Sequence, residues 1–274
     1  MMRRFGSRTD ARGFTLLELL AVISIIGVLV GILLPALGGA LTSARMTQCL
    51  SNQRQLTLAW AMYGADHDDR AAPVGGRIEE GYAYWWGVEN QQLGRIDHAS
   101  GLLSVYLDSA LHDGSVYECP VQKPGTYTYQ SGLNQFTSTY GYNGYGLSPS
   151  TTGHNGLEKQ RWRRLSDLQR PSDVFVFADS MIMLGALRNS ALLDPPKVFS
   201  SWGWFTNYAP TTSFRHARRA GGEDPGRAVT ARADGSVKAV EGRPEWIRNT
   251  QHALGSVGEG NGPHYVPDWL RWRP

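Results

Sequence analysis

His216, Asp179 and Asp234 are the residues of this chain best suited to acid–base or metal chemistry, because an imidazole set among carboxylates can move protons or ligate a cation. Local spacing does not complete such a site. The sequence holds no GxSxG elbow, no HExxH helix and no phosphate-cradling loop. Both aspartates also have structural roles at hand: Asp179 closes a β-rich run, and Asp234 precedes Gly235 between two alternating segments. His216 then reads as a structural hydrogen-bonder near a sheet, and the chain as a non-enzyme without a cofactor. Cys49 and Cys119 lack a neighbouring Cys or His at ligand spacing, so no metal is expected there. The run Asp66-His67-Asp68-Asp69-Arg70 lacks the glycine and distal glutamate of a calcium loop and reads as a solvated helix end.

Glu18 is the carboxylate in the least expected place. It is the one charge in the apolar run from Gly13 to Leu37. From Phe14 to Leu37 a helix of about 24 residues reaches roughly 36 Å, enough to cross a hydrocarbon core of about 30 Å. Arg3, Arg4, Arg8 and Arg12 precede it against Asp10 alone, which predicts a cytoplasmic N-terminus and a single pass, with the rest of the chain on the other face. A cleaved signal peptide fits less well: the run is long, contains Pro35 and passes straight into a polar helical pattern. An acidic side chain at this depth either stays wet at the interface, helped by the helix dipole, or meets a cation. Gly27 and Gly31 form a small-xxx-small pair suited to close helix approach, and Pro35 predicts a bend or local melting over Gly31 to Leu34.

The leader's arginines account for the whole net charge of +3, so the remainder is close to neutral and no specific nucleic-acid partner is expected. On the oxidising side of a membrane Cys49 and Cys119 are expected to form a disulfide, with two buried free thiols as the alternative.

Gly13-Phe14-Thr15-Leu16-Leu17-Glu18 behind a short basic leader resembles the processing motif of type IV prepilins and type II secretion pseudopilins. The resemblance implies cleavage between Gly13 and Phe14 by a membrane prepilin peptidase, which also methylates the new Phe14 terminus. It also implies an assembly role for Glu18, pairing with the Phe14 amine of a neighbouring subunit, and a helix kink at Pro35. The partners so implied are the peptidase/methyltransferase, other pilin-like subunits, inner-membrane secretion or pilus machinery, and lipid. A cysteine on the helix followed later by Cys119-Pro120 and a Tyr-Gly-Tyr-Asn segment is similar to a prepilin-like subfamily and supports the bridge. Phe214-Arg215-His216 with Ala233-Asp234-Gly235 resembles a C-terminal prepilin-associated element and implies a shared local site. Here the interval is lengthened by Gly221 to Gly226, and Ser236 stands where a histidine often follows.

The elements that must carry these residues follow from periodicity. Met46, Cys49/Leu50, Leu56, Trp60 and Tyr63 fall at helical spacing with Gln53 breaking the stripe, so the helix is expected to run to about Gly64 or Asp66. Tyr82 to Gly87 reads as core or an early strand, Leu102 to Leu107 as a short helix, and Val116 to Pro120 as extended. Thr139 to Asn143, Asp173 to Ala178, Ala228 to Ala233 and Ser236 to Val240 read as strands, the last two joined at Asp234-Gly235 through a type I′ turn. The expected fold is α+β and pilin-like, a long helix packed on a mostly antiparallel sheet. Its parts are a leader over 1–13, a membrane helix over 14–37, a helical extension over 38–66 and one globular domain over 67–274.

Overall fold

The computed structural model describes residues 14–79, 81–90, 95–107, 114–122, 137–148, 163–200, 203–218 and 224–267. Helix α1 (Leu16–Asp66) is a single rod of 51 residues. It runs unbroken through Pro35, so the local melting expected over Gly31 to Leu34 does not occur. Proline removes one backbone donor, and the surrounding turns keep helical geometry despite it.

The chain divides into two compact units, Met1–Ser43 and Ala44–Pro274. In the first unit the described residues are helical from Leu16 onward, and all of them are exposed. No face is hidden because the sequence there is apolar all round. A stretch of α1 is long and apolar enough to cross a membrane.

The second unit starts inside α1 and continues through antiparallel strands. A four-stranded meander comes first: β1 (Gly75–Ile78), β2 (Gly81–Tyr84), β3 (Gly87–Asn90) and β4 (Arg95–Asp97), in that spatial order. Short helices α2 (Ser104–Leu107) and α3 (Gly144–Leu147) flank β5 (Tyr140–Tyr142). β6 (Phe175–Asp179) is followed by the hairpin β7 (Met181–Leu184) with β8 (Ala186–Asn189), and by the pair β9 (Lys197–Ser200) with β10 (Gly203–Thr206). Then come β11 (Thr212–Ser213), β12 (Arg227–Arg232), β13 (Val237–Glu241), β14 (Ile247–Asn249) and β15 (Leu254–Gly255). The central sheet has the order β13-β12-β6-β5, all antiparallel. All five residues of β6 are buried, as expected of a central strand covered on both faces.

From Cys49 onward α1 buries Cys49, Asn52, Gln53, Leu56, Thr57, Ala59, Trp60, Tyr63 and Gly64, the one-face spacing of an amphipathic helix. Gln53 belongs to this stripe rather than breaking it. Its amide donates to the Val229 carbonyl of β12 at 3.0 Å, which repays burial of the polar group. Trp60 Nε1 donates to Tyr142 Oη at 3.0 Å, and that hydroxyl donates onward to the Ala72 carbonyl at 2.7 Å. The aromatic segment supplies the core, with the Trp85 ring 5.1 Å from Phe177 and 5.9 Å from Tyr117. Val116 to Pro120 is a pair of tight turns instead of an extended segment, with Glu118 N donating to Ser115 O and Gln122 N to Cys119 O. The fold is α+β, a long N-terminal helix followed by antiparallel sheets, consistent with a pilin-like plan.

Candidate functional site

Thr15 and Glu18 start the long helix as a reciprocal pair. Thr15 N and Thr15 Oγ1 both donate to Glu18 Oε2 at 2.9 Å, and Glu18 N donates back to Thr15 Oγ1 at 3.2 Å. This is a capping box, in which N-cap and N3 side chains satisfy each other's orphan donors. The Thr15-x-x-Glu18 spacing carried that signal in the sequence, and reading Glu18 only as a membrane charge overlooked it. Phe14 stands just outside the helix with an exposed ring, and Gly13 lies outside the described residues together with the leader. The Glu18 carboxylate is therefore held by Thr15 at the helix start, one residue from where a new amine would form.

A second constellation lies deep in the folded unit, where four distant segments converge. Cys49 comes from α1, Cys119 from the turn that precedes the central sheet, Asp179 from the end of β6, and His216 from a bridge to β12. Backbone bonds fix His216 at both ends, its N–H donating to Arg227 O at 3.0 Å and Arg227 N donating back at 2.8 Å. Cys49 Sγ donates to Asp179 Oδ1 at 3.3 Å, Cys119 Sγ lies 3.4 Å from His216 Nε2, and that nitrogen lies 3.1 Å from Asp179 Oδ2. None of the four is more than 1 % exposed. Arg215 Nη2 stands 3.7 Å from Asp179 Oδ1 and donates to the carbonyls of Thr139 and Ser180, while Val229 N donates to Asp179 Oδ2 at 2.7 Å.

The electrostatics follow from burial set against these neighbours. Burial raises the Asp179 carboxyl, but Arg215 and His216 outweigh it and hold the group below its ordinary value. Burial disfavours charge on His216 as well, yet the Asp179 carboxylate pushes it up to about 10. Burial pushes the Cys49 thiol well up. Burial also opposes ionisation of Cys119, but the Cys49 hydrogen bond, with Arg215 and His216 beside it, brings that thiol down to about 5. The cluster is a closed set of matched charges without an exposed member.

Several expectations change here. Cys49 and Cys119 do come together, but as free buried thiols and not as the expected disulfide, each sulfur having a partner in Asp179 or His216. The absence of a Cys or His at ligand spacing along the sequence proves uninformative, because folding supplies the neighbours: one donor atom from each of Cys49, Cys119, Asp179 and His216 lies within 4.8 Å of the others. The shared site expected around His216, Asp234 and Gly235 does not form. His216 sits at the start of β12 and Asp234 beyond its end, exposed, accepting from Ser236 N at 2.9 Å. Of the lengthened interval, Gly221 to Glu223 lie outside the described residues. The hairpin turn also differs in type. Gly235 has φ +82°, whereas Asp234 does not have the positive φ that a type I′ turn requires. Gly235 N donates to Arg232 O and Arg232 N to Ser236 O, the pattern of a three-residue loop with a glycine bulge.

No curated protein and no solved structure matches the chain. Its N-terminus does find a relative: residues 8–34 match the family model described as the prokaryotic N-terminal methylation motif, spanning Gly13, Phe14, the capping box and most of the apolar run. The chain therefore carries the N-terminal methylation motif of prepilin-type proteins, joined to a long apolar helix.

Proposed function

We propose that this is a non-catalytic pilin-like subunit, cut after Gly13, N-methylated on Phe14, and assembled through its N-terminal helix into a type II secretion pseudopilus or a type IV pilus-like filament. The observation that carries the reading is the methylation motif placed at the start of a helix whose first half, through Arg45, is exposed on every side. Such a helix needs lipid before assembly and neighbouring helices after it. Cutting before Phe14 creates an α-amine beside Glu18, and the carboxylate of one subunit then pairs with the amine of the next. The prepilin peptidase acts at the inner membrane with the leader in the cytoplasm, and the sheet domain faces the periplasm. The non-catalytic part of the reading is supported by the burial of the Cys49, Cys119, Asp179 and His216 cluster, which presents no open face to a substrate.

The intact mass of the membrane-extracted protein tests the proposal. The expected species lacks Met1 to Gly13 and carries one additional methyl group. A working protein that retains its leader overturns the reading. Glu18→Ala is expected to give a processed, membrane-held subunit that no longer cross-links to its neighbours, whereas assembly at the wild-type level removes Glu18 from the mechanism.

A further inference from the structure

We propose that Cys49, Cys119, Asp179 and His216 form a structural site for a tetrahedral divalent metal of the zinc type, which ties α1 to the central sheet. This does not depend on how the N-terminus is processed.

The donor set suits such an ion. Two thiolates, an imidazole and a carboxylate are all zinc ligands, and closed sites of four protein ligands are the structural kind. Geometry agrees. Metal–ligand bonds of about 2.0–2.3 Å place the ligand atoms of a tetrahedron about 3.3–3.8 Å apart. The recorded separations are 3.3 Å for Cys49 Sγ to Asp179 Oδ1, 3.4 Å for Cys119 Sγ to His216 Nε2 and 3.1 Å for His216 Nε2 to Asp179 Oδ2. With no pair of donor atoms further apart than 4.8 Å, small side-chain shifts complete the cage.

Hydrogen bonding alone leaves this cluster poorly explained. His216 Nε2 faces both Cys119 and Asp179 and has one proton to give, while Nδ1 is buried with no partner among the described residues, so the contacts of the ring run through Nε2. Charge also balances. Two thiolates and Asp179 carry three negative charges, a divalent ion leaves one, and the buried Arg215 guanidinium beside Asp179 neutralises it. Metal binding displaces to solvent the protons held on the two sulfurs and on His216 Nε2, with no change in oxidation state. A Cys49–Cys119 disulfide would use the two sulfurs only and would give no role to the convergence of Asp179 and His216 on them.

The test uses the full-length chain in detergent, purified under reducing conditions and passed over a desalting column after incubation with zinc. One tightly held zinc per chain is expected, with both cysteines refractory to alkylation until a chelator is added. Cobalt in place of zinc is expected to give the visible bands of a tetrahedral ion together with a thiolate-to-cobalt charge-transfer band. Cys119→Ser and His216→Gln are each expected to weaken binding at least tenfold, with Asp234→Asn unchanged as a control outside the cluster. The wild-type measurements stand even if a variant fails to fold. The proposal is overturned if the reduced wild-type chain retains no zinc, if the cobalt spectrum lacks the thiolate band, or if the sulfurs are blocked by a bond that opens only to a reductant.

Discussion

The two halves of α1 are built from one continuous helix and solve opposite problems. Every residue from Phe14 to Arg45 is exposed, including large side chains such as Ile32 and Leu33, whereas nine residues between Cys49 and Gly64 are buried. The difference lies in pattern rather than helix propensity. The first half is apolar on all sides, so no single face of a small domain could cover it, and none of the described residues does. The second half alternates a buried stripe with Ser51, Arg54 and Leu58 facing out, and the stripe is met by the sheet's own groups at Val229 and Tyr142.

Paired substitutions test that contrast most strongly. Leu56→Ala removes a side chain with no exposed surface and is expected to destabilise the folded unit by about 2–5 kcal/mol. Leu29→Ala removes a side chain that is 55 % exposed and is expected to change denaturant stability by less than about 0.5 kcal/mol, because none of the described residues buries it. Chemical denaturation of the full chain in detergent reads both. Equal losses would show that the two halves are not different in kind.

Burial and charge are balanced differently at two carboxyls inside the domain, and pH exposes the difference. Asp179 is compensated by Arg215, His216 and the Val229 amide, and burial does not win there. At Asp194 burial does win, and the carboxyl is pushed up to about 6. Its folded pKa thus exceeds the unfolded value of about 3.9, so the folded state binds the proton more tightly between those values. Stability from this group is greatest at low pH and is lost as pH rises from about 4 through about 6, by up to about 3 kcal/mol at 1.36 kcal/mol per pKa unit. Subtracting the stability of Asp194→Asn from that of wild type across this range cancels the other titrating groups. A difference that stays flat with pH would mean that Asp194 is solvated in the folded state.

Much of this was legible in the residues because periodic patterns report on neighbours close in sequence. The extent of α1, the Asp173 to Ala178 and Ala228 to Val240 strands, and the Gly13 to Glu18 motif all rest on spacing within a few residues. The Cys49, Cys119, Asp179 and His216 cluster was not legible as a unit, since its members lie tens of residues apart and only the β6–β12 pairing with α1 across it brings them together. Each had a sufficient local explanation alone: Asp179 as a strand end, His216 as a sheet residue. Gln53 is a related case. Its position fits the buried face, but its polarity argued against burial until the sheet carbonyl at Val229 was in view.

A smaller loss than that at Leu56 or Asp194 is expected at the turn between β12 and β13, where the residues indicated a hairpin but not its geometry. Were the turn type I′, both Asp234 and Gly235 would need positive φ, and Asp234→Gly would relieve strain. In the observed loop only Gly235 is left-handed, at φ +82°, and Asp234 accepts a hydrogen bond from Ser236 N. Gly235→Ala should therefore cost about 1–2 kcal/mol, although among the described residues no atom beyond its chain neighbours lies within 4 Å of the added methyl group, because the penalty comes from the backbone itself. Asp234→Gly should also destabilise, by about 0.5–1 kcal/mol, through greater freedom of the unfolded chain and loss of the Ser236 contact. Thermal melts of the two variants distinguish the geometries by sign, since a stabilising Asp234→Gly would restore the type I′ turn and leave the glycine bulge without support.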